Sequence, residues 1–324
     1  MKKTTLLHAA AAMTFLALAA LPEQAQALDL PCRTAKLIVP WGAGGGTDVV
    51  FRTFVEAVNK AGAEPELQVV NIGGQGGNKG AKEAKDAKAD GCTLFAIHQS
   101  AISSYLNGRV DFTYTAFEPV ALLTRTPAIF GANPDAPFNN LTEMTAFAKA
   151  NPGAINVGAT LGSTSHFVYL LLADRTGAEF NYVSYDGTRE RMTALLAKNI
   201  HMGEINLAAA TKYITSNELK ALAITTPERN AEIPDVMTAK EQGVDLIYGT
   251  DRGVMAPKGT SPEIIAYYAG LFEIAAASPE VQEAMTAKGT EVLFLGPDAF
   301  AAYLDDTFAD WKRIAKQVGM YKGE

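Results

Sequence analysis

The sequence predicts an α/β protein built on largely parallel sheets. Two observations carry that prediction. Short apolar runs alternate with helix-like segments along most of the chain. Glycines and hydroxyl residues also collect just after the ends of those runs, where open α/β sheets hold their ligands.

The elements follow in order. "AKLIVPW" (35–41) reads as a strand and residues 47–61 as a helix, with Val50, Phe54, Ala57 and Ala61 on one face. "ELQVVNI" (66–72) is a second strand, followed by "GGQGGNKG" and a helix over 81–89. "CTLFAIH" (92–98) is a third, followed by the loop "QSAISS". "PVALLT" and "AIFGAN" flank Pro127. The segment 139–153 is a helix with Asn140 as N-cap and Glu143 three residues on, a capping box that ends at Gly153. "INVGAT" is a strand, then "LGSTSHF" opens a helix running to Gly177. "NYVSY" is a strand, "DGTRER" opens a helix reaching Lys198, and "LKALAITT" is another strand. Beyond Gly253 the pattern turns to helices. Ser261-Pro262 and Ser278-Pro279 are cap-and-first-turn pairs, and 296–319 is a long amphipathic helix with Phe300, Leu304, Phe308, Trp311 and Ile314 as its apolar stripe.

The N-terminus reads as a secretory signal peptide, residues 1–27: Lys2 and Lys3, an apolar run from 6 to 21, and the small-residue site Ala25-Gln26-Ala27. The alternative, a membrane anchor, needs a longer run than this. The mature chain then starts near Leu28 and is long enough for two cored domains. The formal charge is −7, and losing Lys2, Lys3 and Glu23 takes it to about −8. No basic block occurs, so nucleic acid and anionic membranes are poor partners. An anionic ligand would have to be attracted locally.

"VPWGAGGGTD" (39–48) offers that local attraction. Strand, glycine turn and helix N-terminus present backbone N–H groups that lack helical partners and carry partial positive charge. Neither nucleotide signature fits. Gly42-x-Gly44 meets Thr47 where a dinucleotide fingerprint needs its third glycine, Gly44-x-Gly46 leads to Val49, and no P-loop lysine follows. A small carboxylate fits better, with no cofactor. Trp41, Ala43, Gly44, Gly45, Gly46 and Thr47 are candidate contacts. Asp48 belongs to the same candidate set, as a group that caps the helix or orders the loop rather than touching the anion. Trp41 either walls a cleft or packs as a half-buried core aromatic.

An exported serine hydrolase is the rival class, with Ser163 or Ser165 as nucleophile and His166 as base. G-x-S-x-G is absent, Ser165 and His166 are chain neighbours, and beyond the signal segment the histidines are His98, His166 and His201. No His-x-x-x-His or cysteine cluster suggests a metal site.

The motifs "IVPWGAGGGTD", "GGQGGNKG", "DGCTLF", "GSTSHF", "YDGT", "AKEQGVDL" and "RGVMAPKGTSPE" occur in this order across the mature chain. In order and spacing the sequence resembles the solute receptors of tripartite tricarboxylate transporters, the Bug family. The resemblance implies a type II periplasmic-binding-protein fold. Lobe one would hold residues 28–124 plus 252–324 and lobe two residues 125–251, with crossings at Pro127 and "YGTDRG". It implies a carboxylate held by loops matching 40–48 and 185–189, and membrane subunits as partners of a periplasmic, monomeric receptor. Two departures stand out: Trp41 where many relatives have Phe, and Thr188 and Arg189 in a loop commonly richer in glycine.

A di- or tricarboxylate is the expected ligand, and an aromatic acid such as terephthalate the alternative. The first carboxylate would meet the Gly44–Thr47 turn. Donors for the second are sought among Ser163, Thr164, Ser165 and His166, among Gly187, Thr188 and Arg189, and at Arg252; Gln99 and Ser100 follow the third strand. Each arginine either forks a carboxylate or pairs with a neighbouring acid, Asp186 for Arg189 and Asp251 for Arg252. Cys32 and Cys92 lie at the starts of the first and third strands. In a 2-1-3 strand order they would meet at the sheet edge opposite the ligand, as a disulfide or as two separate thiols.

Overall fold

The computed structural model describes residues 28, 30–185 and 188–322, without the side chains of 189, 208 and 209. The expected signal peptide and Gly187 lie outside those residues. The chain runs β1 (Thr34–Val39), α1 (Gly46–Lys60), β2 (Glu66–Asn71), α2 (Asn78–Lys85), β3 (Thr93–His98), α3 (Ser100–Leu106), β4 (Phe117–Pro127) and β5 (Ile129–Ala132). It continues with α4 (Leu141–Ala150), β6 (Ile155–Ala159), α5 (Thr164–Thr176), β7 (Phe180–Ser184), α6 (Thr188–Leu196), β8 (Met202–Ile205), α7 (Leu207–Thr215) and β9 (Lys220–Ile224). It closes with β10 (Gly249–Pro257), α8 (Pro262–Ala277), α9 (Pro279–Thr286), β11 (Glu291–Leu295) and α10 (Pro297–Gln317).

The strands form two sheets, a six-stranded one ordered β11-β4-β10-β3-β1-β2 and a five-stranded one ordered β7-β6-β8-β5-β9. Most strands of each sheet point one way, as the alternation predicts. The exceptions have a cause. β10 returns from the second sheet and so pairs antiparallel with β3 and β4, and β5, entering from the first, pairs antiparallel with β8 and β9; the edge strand β11 also runs antiparallel to β4. β4 and β10 pair from Phe117↔Pro257 to Gly249↔Pro127, so the two strands that pass between the sheets run side by side.

Local signals account for most boundaries. Asn140 Oδ1 accepts the Glu143 N–H at 2.8 Å, and Glu143 Oε2 accepts the Asn139 N–H at 2.8 Å. Ser261 and Ser278 cap α8 and α9, with Pro262 and Pro279 in their first turns. "QSAISS" is not a loop: α3 takes it up, because Ile102 and Leu106 bury against the core one turn apart. Two short strands, β8 and β11, and the helix α7 also lie where the sequence pattern gave no element, and β10 replaces what read as a turn at "YGTDRG" followed by helices beyond Gly253.

One apolar layer, with Val50, Phe51 and Phe54 of α1 and Tyr268 and Phe272 of α8, covers one face of the first sheet. The other layer joins α3 and α10 to α5 and β6 of the second sheet. Phe167 of α5 stacks on Trp311 of α10 with ring centres 4.4 Å apart. Cys32 and Cys92 are joined as a disulfide, Cα atoms 5.9 Å apart, before β1 and β3.

Candidate functional site: a glycine turn, a helix start and a buried arginine

The turn between β1 and α1 is held from beneath by Asp48. Its carboxylate accepts from Gly44 N at 2.8 Å, Asn71 Nδ2 at 2.8 Å and Arg52 Nε at 3.0 Å. Burial alone would raise the Asp48 pKa, but those hydrogen bonds outweigh it and hold the carboxyl below its ordinary range. Gly44 sits at φ +77°, a left-handed conformation that favours glycine. Helix α1 starts at Gly46 with Gly45 as N-cap and no side-chain cap. Its first N–H groups therefore open onto the exposed glycines, and of the two roles the sequence allowed Asp48 it orders the turn and does not cap the helix.

Arg252 of β10 stands behind this turn. Its Nε donates to Thr47 Oγ1 at 3.1 Å, and Nη1 donates to Thr126 Oγ1 at 2.6 Å and to the Thr250 carbonyl at 3.2 Å. Asp251, one residue away, points to the opposite face of the strand and pairs with Arg125, both contacts at 2.7 Å. The ion pair with Asp251 that the sequence allowed for Arg252 is thus not formed. Nor does Arg252 lie across the site as a second-carboxylate donor: it belongs with the first turn. Burial pushes its pKa down to about 10, still protonated near neutrality.

His98 ends β3 beside Arg252. Its Nδ1 accepts the Ser100 N–H at 3.1 Å, and its ring stacks on Trp41 at 4.0 Å. Burial, then the charge of Arg252, pushes His98 down to about 3, so it is neutral. Trp41 is half-buried, and a Cβ on Gly77 would fall 3.2 Å from its ring. Gln99 faces elsewhere. Its amide donates to the Gly249 carbonyl and to Tyr303 Oη and accepts from Asp251 N, which fixes β10 rather than lining the turn.

The second sheet brings up the loop from β6 to α5. Ser163 Oγ donates to the Thr160 carbonyl at 2.7 Å, Ser165 Oγ accepts from Thr160 N, and the two hydroxyls lie 3.1 Å apart. His166 Nδ1 accepts from Gly162 N at 3.2 Å, and burial lowers its pKa to about 4. Both serines are thus engaged with Thr160 and each other, not with His166, so the nucleophile–base pair a hydrolase needs is not assembled. Thr164 is half-buried, and its carbonyl accepts from Tyr248 Oη.

Thr188 Oγ1 accepts from Arg191 Nη2 at 3.0 Å. Arg191 also donates to Thr160 Oγ1 and pairs with Glu204. This buried arginine, not named from sequence, ties the ends of β6, β8 and α6 together. Its position three residues after Thr188, on the same helix face, was the available signal. The Arg189 side chain lies outside the described residues.

The two sets of loops touch. Asn107 Nδ2 donates to the Gly162 carbonyl at 3.1 Å, and Arg109 Nη2 to the Leu161 carbonyl at 3.2 Å. Arg109 Nη1 also lies 3.9 Å from where a Cβ on Gly76 would sit, so it reaches both the "GGQGG" loop and the β6–α5 loop. Among the described residues no group of His, Cys, Asp and Glu is arranged to hold a metal ion, and no helix is long and apolar enough to cross a membrane.

Comparison with known proteins places this geometry. A family model described as "Tripartite tricarboxylate transporter family receptor" matches residues 50–320. Protein BugT of Bordetella pertussis is 30% identical over 311 residues, 94% of this chain and 95% of BugT. MatC of Rhodopseudomonas palustris, solved with bound malate, is 27% identical with a TM-score of 0.73, covering 88% of this chain and 99% of MatC. The R. palustris protein Rpa4515, solved with adipate, is 25% identical with a TM-score of 0.76, covering 90% of this chain and 99% of that one. The chain belongs to the tripartite tricarboxylate transporter receptor family, the TctC/Bug type of periplasmic solute-binding proteins, and not to an enzyme family.

Proposed function

We propose that this protein is a periplasmic receptor that captures a small organic di- or tricarboxylate and delivers it to the membrane subunits of a tripartite tricarboxylate-type transporter. The observation that carries the reading is the uncapped start of α1 behind a glycine turn, with its N–H groups open. Two structural neighbours holding malate and adipate support an aliphatic acid of this size. The ligand's first carboxylate sits at Gly44, Gly45, Gly46 and Thr47, with Trp41 and Ala43 at the rim. The hydroxyls of Thr164 and Thr188 are the donors proposed for its other end, with Gly187 and Arg189 as further contacts to be tested by mutation.

The two sheets are the cores of two lobes that close on the ligand and exclude water, which strengthens each polar contact. Sheet membership supports setting the limits at Ala128, a few residues from the sequence estimate, and in the segment 225–248, which lies wholly before the estimate at 251. Residues 1–27 direct export, and the receptor works as a monomer.

A thermal-shift screen of mono-, di- and tricarboxylates, aromatic acids, sugars and amines tests the reading. A rise in melting temperature with aliphatic di- or tricarboxylates is expected. A larger rise with terephthalate selects the aromatic class, and a response to sugars or amines alone overturns the proposal.

A further inference from the structure

We propose that Arg252 is the charged contact that makes this site demand an anion: its free Nη2 bonds the carboxylate oxygen that the first turn of α1 holds. This rests on the reading that α1 binds a carboxylate. Arg252 is only 9% exposed, and none of its hydrogen bonds goes to an acid. A cation taken out of water without a counter-charge is costly, and a bound anion relieves that cost.

The neighbours leave the charge standing. Asp251 is committed to Arg125 and Tyr303 on the other face. His98 is neutral, and Glu204, whose field reaches Arg252, is paired with Arg191. Three hydrogen bonds fix the guanidinium through Nε and Nη1, whereas Nη2 makes none among the described residues. Nη2 lies 4.0 Å from the point where a Cβ on Gly46 would sit, beside the first residue of α1. The arginine and the helix start therefore aim at one point. Thr126 and Arg252 lie on β4 and β10, so both crossing strands hold the group in place before ligand arrives.

Calorimetry on wild type, R252Q, R252K and G46A, with succinate, malate, adipate and citrate, tests this. G46A places a methyl 4.0 Å from Nη2 with no other atom within 4 Å, so it keeps the fold while crowding the space between Nη2 and the first turn of α1. The acid that wild type binds best should lose about 10- to 100-fold in R252Q and in G46A, with part regained in R252K. Equal affinity in wild type, R252Q and G46A would overturn the role of Arg252 and leave carboxylate binding intact. Binding of no acid by wild type would overturn the carboxylate reading itself, and this inference with it. Should R252Q unfold, the wild type–R252K pair decides, because lysine keeps the charge but cannot supply Nη2: equal affinity in the two overturns the contact.

Discussion

The Asn107 amide, at the end of α3, donates a 3.1 Å hydrogen bond to the carbonyl of Gly162, in the loop from β6 to α5. With Arg109 on Leu161, it fastens a helix of the six-stranded sheet to a loop of the five-stranded one. Gly162, at φ +75°, gives the amide room, since a Cβ there would fall 2.7 Å from Asn107 Nδ2. Replacing both Asn107 and Arg109 by alanine should weaken ligand affinity by about 3- to 30-fold, the effect of two partly exposed hydrogen bonds, with the fold intact. Stopped-flow release rates read the effect directly, and an unchanged off-rate would show that these contacts do not hold the lobes.

Asp48 should matter to the turn as much as the glycines do. In D48N the pairing with Arg52 is lost and the acceptor for Gly44 N is weakened. We expect a loss of about 1–3 kcal/mol in chemical denaturation. A variant as stable as wild type would mean that the turn holds its shape without the carboxylate.

Acid should destabilise the protein before its carboxylates titrate. Burial holds His98 at about 3 and His166 at about 4, against 6.5 for a free imidazole. The unfolded chain therefore takes up these two protons first. Their contribution is complete above about pH 6.5 and falls as the pH drops toward the folded values, by about 1–2 kcal/mol each at about pH 5. The lowered Asp48 and Asp174 add losses only further down. In H98N/H166N the asparagine oxygens take the place of Nδ1, and melting temperature should vary less between pH 7 and 5. An identical slope in both proteins would refute the assignment.

The Cys32–Cys92 bridge ties the entries of β1 and β3, at the sheet edge away from the glycine turn. Its removal in C32A/C92A should cost about 2–4 kcal/mol of stability and leave ligand affinity unchanged. A large loss of affinity would mean that this edge communicates with the binding loops.

β1, β2 and β3 of the first sheet were legible because they are apolar runs followed by glycines or small polar residues: Leu37, Ile38 and Val39 before the turn, and Leu94 through Ile97 before Gln99; β10 was not, because Asp251, Arg252 and Gly253 interrupt its apolar run. The disulfide followed from the same strand order. β8 and β11 escaped because they are short, and β11 is only partly buried at a sheet edge. In the site, the glycine turn and the loop-ordering role of Asp48 could be read locally. The partners of Arg252 could not. Thr47 and Thr126 lie far from it in sequence, and strand alternation sends Asp251 to the other face. Arg191 does not stand out in the sequence, because no periodicity in that polar helix start reveals its burial.

The most direct test is a crystal structure with the best-stabilising carboxylate bound. We expect one carboxylate group within hydrogen-bond distance of the Gly46 and Thr47 N–H groups and of Arg252 Nη2, between the two sheets. Ligand density elsewhere, for instance in the 290 Å³ cavity lined by Arg125, Arg175 and Trp311, with the start of α1 facing only solvent, would contradict the account.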